Sequence, residues 1–388
     1  MQRLLCIAPA PILKSDDGYV LDGKFLTGMA LHGDFWDGEM DCILRLGAQS
    51  IPFGAQPLPK DPGFGLTVLE EKEPITAQHL DGYDVVLCSV DDAQTLHLPS
   101  LTLARPPKFF VTIEYTLKTR LEAAWLDAER PLIKRLYGML WCARQEKRRK
   151  HFMATAEGVQ SNGYPGLQTY GHLNDNTLLY FDNRMTEALF CSAQDQAARV
   201  QRLNSGAPLQ LVYSGRLERM KGANDLVPIA AKLHALGVDF RLDIFGEGSL
   251  KEEIARAIEA KGLGAQVTLH APVDFETELV PYISAKADIY LCCHRQSDPS
   301  CTYLENMGCG LAVAGYGNQM WQALSAESGA GWTVPMGDLD AMAALVQRLD
   351  GARAEVVACS EKAMAFAKEH DFLTEFRKRM SHLVQNRP

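Results

Sequence analysis

The chain has 388 residues, 47% hydrophobic and 22% charged, with a formal net charge of −9. That length exceeds one ordinary core and suits two domains, in a composition typical of globular proteins. The acidic balance leaves no electrostatic footprint for nucleic acid, and no run approaches the ~18 apolar residues of a membrane span.

Leu4–Ala8 reads as the first strand, and the five residues between Arg3 and Pro9 are too few for the apolar core of a signal peptide. A polar loop through Asp22-Gly23-Lys24 follows, then a short helix over Phe25–His32. In open α/β folds such a loop faces the ligand crevice, which makes Lys24 an acceptor-side candidate; a plain surface loop is the other reading. Cys42–Leu46, Tyr83–Val90 and Lys108–Thr116 read as strands. The polar residues of the last cluster at its far end, so Glu114 and Tyr115 either reach an acceptor or simply end a strand. Leu117–Lys150 has a helical pattern ending in a basic run. Residues 144–150 there suit either peripheral contact with an anionic membrane or a solvated face. His151–Thr155 is expected to be a strand, and Asn204–Pro208 is the best linker in the chain.

From Leu209 the order is strand, glycine turn, helix, repeated. Strands are expected at Leu209–Leu217, Phe240–Phe245, Gln266–His270, Asp288–Cys293 and Leu311–Gly315. This βαβ repetition predicts a parallel sheet with right-handed crossovers. The fold class is therefore α/β, with two Rossmann-like domains facing each other across a cleft. The domains are expected at 1–203 and 209–365, with a final helical segment over 366–388.

The chemistry centres on Asp298–Gly310. Asp298 before Pro299 suits an N-cap, and a helix start at the carboxyl end of a parallel strand is an anion site. Arg216 and Lys221 flank the turn after the strand at Leu209 and are expected at the same edge. Two cations beside that helix start would stabilise a departing diphosphate. Glu305, further along the helix, is placed to accept hydrogen bonds from ribose hydroxyls. The ten cysteines include no CxxC pair. Reduced thiols in a cytosolic protein are expected, rather than a disulfide framework or a zinc site.

Three pieces stand in order: Ser214-Gly215-Arg216-Leu217 with Lys221-Gly222, then Phe245-Gly246-Glu247-Gly248, then Tyr303-Leu304-Glu305-Asn306-Met307-Gly308-Cys309-Gly310. Together they resemble the nucleotide-sugar half of retaining GT-B glycosyltransferases of the family-four, or glycosyl transferases group 1, type. The resemblance covers about Leu209 to Leu349. It implies that Arg216 and Lys221 hold the donor diphosphate, that Glu305 holds the ribose and that the base sits near Val273. Gly215, Gly246 and Gly248 would approach the donor, with Ser300, Cys301, Thr302 and Tyr303 lining it. It further implies that the last helix, with Phe372–Leu383, returns to the first domain. One departure stands out. The family usually has two glutamates with seven residues between them, whereas here Ser297 holds the first position. Asp298, with six residues before Glu305, either contacts the transferred sugar or only caps the helix. His294 either assists or is a satisfied side chain at a strand end. A histidine often found after a central strand of the first domain is replaced here by Glu114-Tyr115.

The expected function is transfer of a hexosyl group from a nucleotide-diphosphate sugar to a hydroxyl of a glycan or lipid-linked acceptor. Retention follows from the resemblance. No cofactor, metal or nucleic-acid partner is expected, and the location is cytoplasmic, peripheral on the inner membrane face if residues 144–150 lie there. Rival readings are an epimerase or phosphorylase on the same architecture, or a non-catalytic donor-binding subunit. A nicotinamide enzyme is disfavoured, because no GxGxxG follows the first strand.

Overall fold

Short apolar strands alternate with helices from one end of the chain to the other. The computed structural model describes residues 2–16, 18–47, 51, 54–127 and 130–385. Contacts group the chain into two units: the first contains residues up to Arg120, Leu136–Tyr180 and the chain from Phe376 on, and the second contains Leu121–Arg135 and Phe181–Glu375.

The first unit is built on β1 (Gln2–Ser15), β2 (Gly18–Asp22), β3 (Gly38–Arg45), β4 (Ala55–Pro57), β5 (Gly65–Leu69), β6 (Val85–Ser89), β7 (Lys108–Ile113), β8 (Gly158–Asn162) and β9 (Thr177–Tyr180). Strands β5-β3-β1-β6-β7-β8-β9 pair in parallel. The far half of β1 turns into an antiparallel ribbon with β2 and β4. The sequence reading gave β1 five residues; the strand has fourteen, because its register shifts between Ile7 and Pro11 and it carries on. Helix α1 (Gly23–Phe35) follows β2 directly, since the Asp22 carboxylate accepts from the amides of Lys24 and Phe25 at 2.8 and 3.3 Å. Lys24 therefore lies in a first helical turn, not in a loop.

After α2 (Ala77–Leu80), the expected single helix over Leu117–Lys150 is two, α3 (Leu117–Leu126) and α4 (Leu132–Thr155). Pro131 separates them; its ring cannot continue one helix and it stands where the next begins. The expected strand at His151–Thr155 is the last turn of α4, where Phe152 and Met153 are buried at helical spacing with Arg149. Helix α5 (Gly163–Tyr170) packs beside β8 and β9.

In the second unit come α6 (Ala193–Asn204), β10 (Leu209–Ser214), α7 (Leu226–Ala235), β11 (Phe240–Phe245), α8 (Lys251–Ala260), β12 (Val267–His270), α9 (Val280–Lys286) and β13 (Ile289–Cys292). Then follow α10 (Thr302–Gly308), β14 (Ala312–Tyr316), α11 (Gln319–Ser328), β15 (Gly331–Val334), α12 (Leu339–Asp350), α13 (Arg353–Glu369) and α14 (Phe372–Gln385). The sheet order is β12-β11-β10-β13-β14-β15, all parallel. Leu211, Leu242, Ile244, Ile289 and Leu291 pack into one core, each contributing ~1.5–3 kcal/mol by burial.

Asn204–Pro208 does not separate the units; the chain crosses between Tyr180 and Phe181. The reason is Arg199. Its fully buried guanidinium donates to the carbonyls of Ala287, Gly310, Ser284 and Cys309 at 2.7–2.9 Å, fixing α6 to the second unit. From Phe376 on, α14 belongs to the first unit. There Phe376 meets the His32 ring edge-on at 4.8 Å, and Arg379 donates to Gln160 at 3.0 Å.

Candidate functional site

The strand order of the second sheet reverses at β10, which lies between β11 and β13. Open parallel sheets bind ligands at the carboxyl ends of strands at such a reversal. Two loops leave there, 215–222 after β10 and 293–301 after β13. They are bolted together. The amides of Arg295 and Gln296 donate to the Met220 carbonyl at 3.1 and 3.2 Å. Gly222 has φ +66°, and a Cβ there would collide with the Cys293 carbonyl oxygen. Arg295 grips Asp225 at 2.7–3.2 Å, and Tyr316 donates to the same carboxylate at 3.0 Å.

This scaffold delivers Lys221 to Asp298. The ammonium lies 2.5 Å from Asp298 Oδ2, and both side chains are buried. Arg216 stands exposed at the mouth of the same turn, its backbone carbonyl accepting from Tyr213 at 2.8 Å. The expected N-cap role of Asp298 fails. Helix α10 begins at Thr302, its N-cap is Cys301, and no side chain caps it. With Pro299 between, the chain needs three further residues before helical geometry sets in, and the Asp298 carboxylate is spent on Lys221. The helix has only seven residues, so the anion reading rests on the two cations.

The loop after β13 and α10 carry buried polar atoms without hydrogen-bond partners among the described residues: Asp298 Oδ1, both ring nitrogens of His294, Gln296 Oε1 and Asn306 Oδ1. Such groups are costly unless something else satisfies them. His294 is fully buried. Burial first, then the charges of Lys221 and Arg216, push its pKa well below the usual histidine range. It is thus a neutral imidazole, with one donor and one acceptor to offer. The amide of Asn306 donates to Ser214 Oγ at 3.1 Å, tying α10 to the end of β10.

Glu305 lies one turn into α10 and is held by a residue the sequence reading passed over. Arg184 grips it bidentately, Nε to Oε1 at 2.7 Å and Nη2 to Oε2 at 3.1 Å. Its guanidinium lies over the Phe275 ring, 3.6 Å from the centroid. Burial works against the Arg184 charge, but the Glu305 carboxylate outweighs it and raises the pKa. Phe275 stands two residues beyond Val273, which is half-buried in the loop after β12. Arg184 thereby joins the expected base loop to the expected ribose ligand. The only signal for it was a polar run, Asp182-Asn183-Arg184, after an apolar one; a linker placed at 204–208 put it in the wrong domain.

The remaining candidates divide. Gly246 follows β11 with φ +151°, and a Cβ there would strike the Gly215 carbonyl oxygen, so close passage of two strand exits requires it. Gly248 is pressed likewise against the Leu217 backbone. Ser300 and Thr302 are half-buried and lie 3.0 Å apart through their hydroxyls, with Thr302 accepting from Tyr290 at 3.2 Å. Cys301, half-buried between them, caps α10 with backbone only. Tyr303 is not a donor ligand by its side chain. It is fully buried, stacked on Trp321 with centroids 5.5 Å apart, and its hydroxyl accepts from Asn318 at 2.9 Å.

In the first unit, Glu114 and Tyr115 follow β7, and their amides donate to Asp91 at 2.7 and 3.3 Å. Glu114 also accepts from Asn162 at 3.1 Å. Beneath them, Arg120 pairs with Asp91, and Glu146 accepts from Arg149 at 3.0 Å and Tyr170 at 2.8 Å. Burial raises the Asp91 pKa despite Arg120. This network went unnoticed in the sequence because its members lie far apart along it. Among the described residues, no group of three or more His, Cys, Asp or Glu is placed to hold a metal ion. No helix there is long and apolar enough to cross a membrane, and all ten cysteines are free.

Comparison with known proteins bears on the family match and the fold. Residues 194–364 match the family described as Glycosyl transferases group 1. Over 116 residues, 29% of this chain, the sequence is 29% identical to the GtfA subunit of a UDP-N-acetylglucosamine–peptide N-acetylglucosaminyltransferase from Streptococcus gordonii, and the match covers 22% of that protein's length. The fold matches sucrose-phosphate synthase from Thermosynechococcus elongatus with a TM-score of 0.69 at 16% identity, covering 99% of this chain and 98% of that one. Anabaena HepE in complex with UDP gives 0.65 at 14%, covering 99% and 100%. WaaG, a glycosyltransferase involved in lipopolysaccharide biosynthesis, gives 0.63 at 12%, covering 97% and 98%. Residues 194–364 thus match the glycosyl transferases group 1 family, and the whole chain is built on the GT-B glycosyltransferase fold.

Proposed function

We propose that this protein transfers a hexosyl group from a nucleotide-diphosphate sugar to a hydroxyl of a glycan or lipid-linked acceptor, with retention and without a metal. The observation that carries the reading is the set of buried, unpartnered polar atoms on the loop after β13 and on α10, with Lys221 paired to one of their residues. Asp298, His294, Gln296 and Asn306 present unpartnered polar atoms at the β10 switch point, and sugar hydroxyls are groups that both donate and accept. Lys221 has three donors and spends one on Asp298. The others, with Arg216, meet the charge that grows on the diphosphate as its bond to the sugar breaks. Glu305, oriented by Arg184, accepts from the ribose, and the base lies by Val273. Acceptor contact is assigned to Glu114, Tyr115 and Lys24 in the first unit, and a place on the inner membrane face is compatible with the cations at 144–150. HepE is described in complex with UDP-glucose, which favours a uridine diphosphate sugar.

A thermal-shift screen of UDP, GDP and ADP sugars tests the donor. Stabilisation by one nucleotide class, lost in Lys221→Ala and in Glu305→Ala, is expected; unchanged binding in both variants overturns the site assignment. One observation favours a second reading, a donor-binding subunit without turnover. Ser297 stands where the family has a glutamate, and the neighbouring acid, Asp298, is paired to Lys221. Slow hydrolysis of the donor counts against that reading, and product analysis with donor alone separates an epimerase or phosphorylase.

A further inference from the structure

Among the described residues, eleven large apolar side chains are exposed, and eight of them fall between Trp125 and Trp141. Single exposed apolar residues are ordinary; a concentration of this kind is not. Helix α4 carries most of it. Its buried residues, Glu146, Arg149, Phe152 and Met153, all lie in its second half. Ahead of them Leu136, Tyr137, Leu140 and Trp141 are 43–71% exposed. They recur every three or four residues and so share one side of the helix.

That side continues at the same spacing into Arg144, Lys147 and Arg148, all exposed. None of the three has a carboxylate partner among the described residues. The one acid of α4, Glu146, is turned inward onto Arg149 and Tyr170. The exposed side is therefore apolar for two turns, then purely cationic, in a chain whose net charge is −9. This polarity selects the occupant. A second copy of the same stripe would set its cations against cations when parallel, or against leucine and aromatic side chains when antiparallel, with no acid to meet them either way. An anionic bilayer supplies an apolar layer for the leucines, an interface suited to tyrosine and tryptophan, and phosphates for the cations.

We propose that α4 lies in the surface of an anionic membrane, with Leu136, Tyr137, Leu140 and Trp141 inserted among the lipids and Arg144, Lys147 and Arg148 on the headgroup phosphates. The inference goes beyond the donor chemistry and does not depend on it.

The test is co-sedimentation of the full chain with vesicles of phosphatidylcholine, with and without phosphatidylglycerol. Binding only to the anionic vesicles, released by high salt, is expected. Charge reversal, Arg144→Glu with Lys147→Glu and Arg148→Glu, should weaken it about a hundredfold or more. Tyr137→Ser with Leu140→Ser should weaken it about tenfold or more. Thermal melting and donor-induced shift without lipid report that these surface variants fold. Should a variant misfold, quenching of wild-type tryptophan fluorescence by brominated phosphatidylglycerol reads insertion directly. Equal binding to neutral vesicles, no binding, or variants that bind like the wild type overturns the proposal. So does a concentration-dependent dimer that the variants abolish. Donor binding without lipid is scored separately, so failure of one reading leaves the other standing.

Discussion

Lys221 and Asp298, seventy-seven residues apart, form an ion pair of 2.5 Å with both side chains buried. Removing one member strands the other charge, which costs ~3–5 kcal/mol where burial is complete. Lys221→Ala should therefore be less stable than the double variant Lys221→Met with Asp298→Leu, in which no charge is left over. Denaturant unfolding of the single and double variants reads the difference, and additive losses would show that the pair carries no coupling.

Arg184→Ala frees a buried carboxylate on Glu305. The expected loss is ~1.5–3 kcal/mol of stability, the range for hydrogen bonds to charged groups, together with about tenfold weaker nucleotide binding. Arg184→Lys should restore less than half, because an ammonium cannot reproduce the two-pronged contact. Calorimetric titration decides: tighter binding in Arg184→Ala would mean that Arg184 competes with the ribose for Glu305.

Acid should weaken the fold through half-buried His32 and fully buried His294. Burial and then the Arg379 charge push the pKa of His32 from 6.5 to about 4, and burial, then Lys221 and Arg216, holds that of His294 well below the usual histidine range. For a group depressed this way, the unfolded chain takes up a proton that the native state refuses. Stability is thus whole above about 6.5 and declines as pH falls toward the native value, by up to ~1.4 kcal/mol per unit for each histidine. Melting temperature against pH for the wild type and for His32→Gln checks this; the variant should lose less between 6.5 and about 4.

Gly222→Ala places a methyl group against the Cys293 carbonyl at a left-handed φ of +66°. The conformation alone costs ~1–2 kcal/mol for an L-residue, and the collision adds to it. Since the same turn presents Lys221, nucleotide affinity should fall along with melting temperature. Gly206→Ala, where φ is +74° but nothing lies within 4 Å, is the control and should affect stability alone.

Five of the six strands of the second sheet were legible in the sequence to within a few residues, because parallel strands buried on both faces leave apolar runs such as Ile289–Cys292, whereas β15, four residues with only two buried or bulky apolar side chains, was not. Lys221 and Glu305 were legible as local motifs. What escaped were partnerships across long separations: Arg184 with Glu305, Arg199 with four carbonyls, Asp298 with Lys221. A pattern along the chain records which faces are apolar, not which distant charge a side chain meets. The helix expected from Asp298 failed for a local reason, since capping signals were present while the carboxylate found a stronger partner. The strand expected at His151–Thr155 failed because five residues are too few to distinguish period two from period 3.6.

The boundary at Tyr180 and Phe181 and the return at Phe376 make the second unit an uninterrupted insertion between β9 and the end of α14, apart from Leu121–Arg135. During synthesis the insertion leaves the ribosome whole, while the first unit waits for residues 376–384. Until then Phe110 lacks the His382 ring that packs on it and Gln160 lacks Arg379. The half of the protein translated first is accordingly the last to be finished.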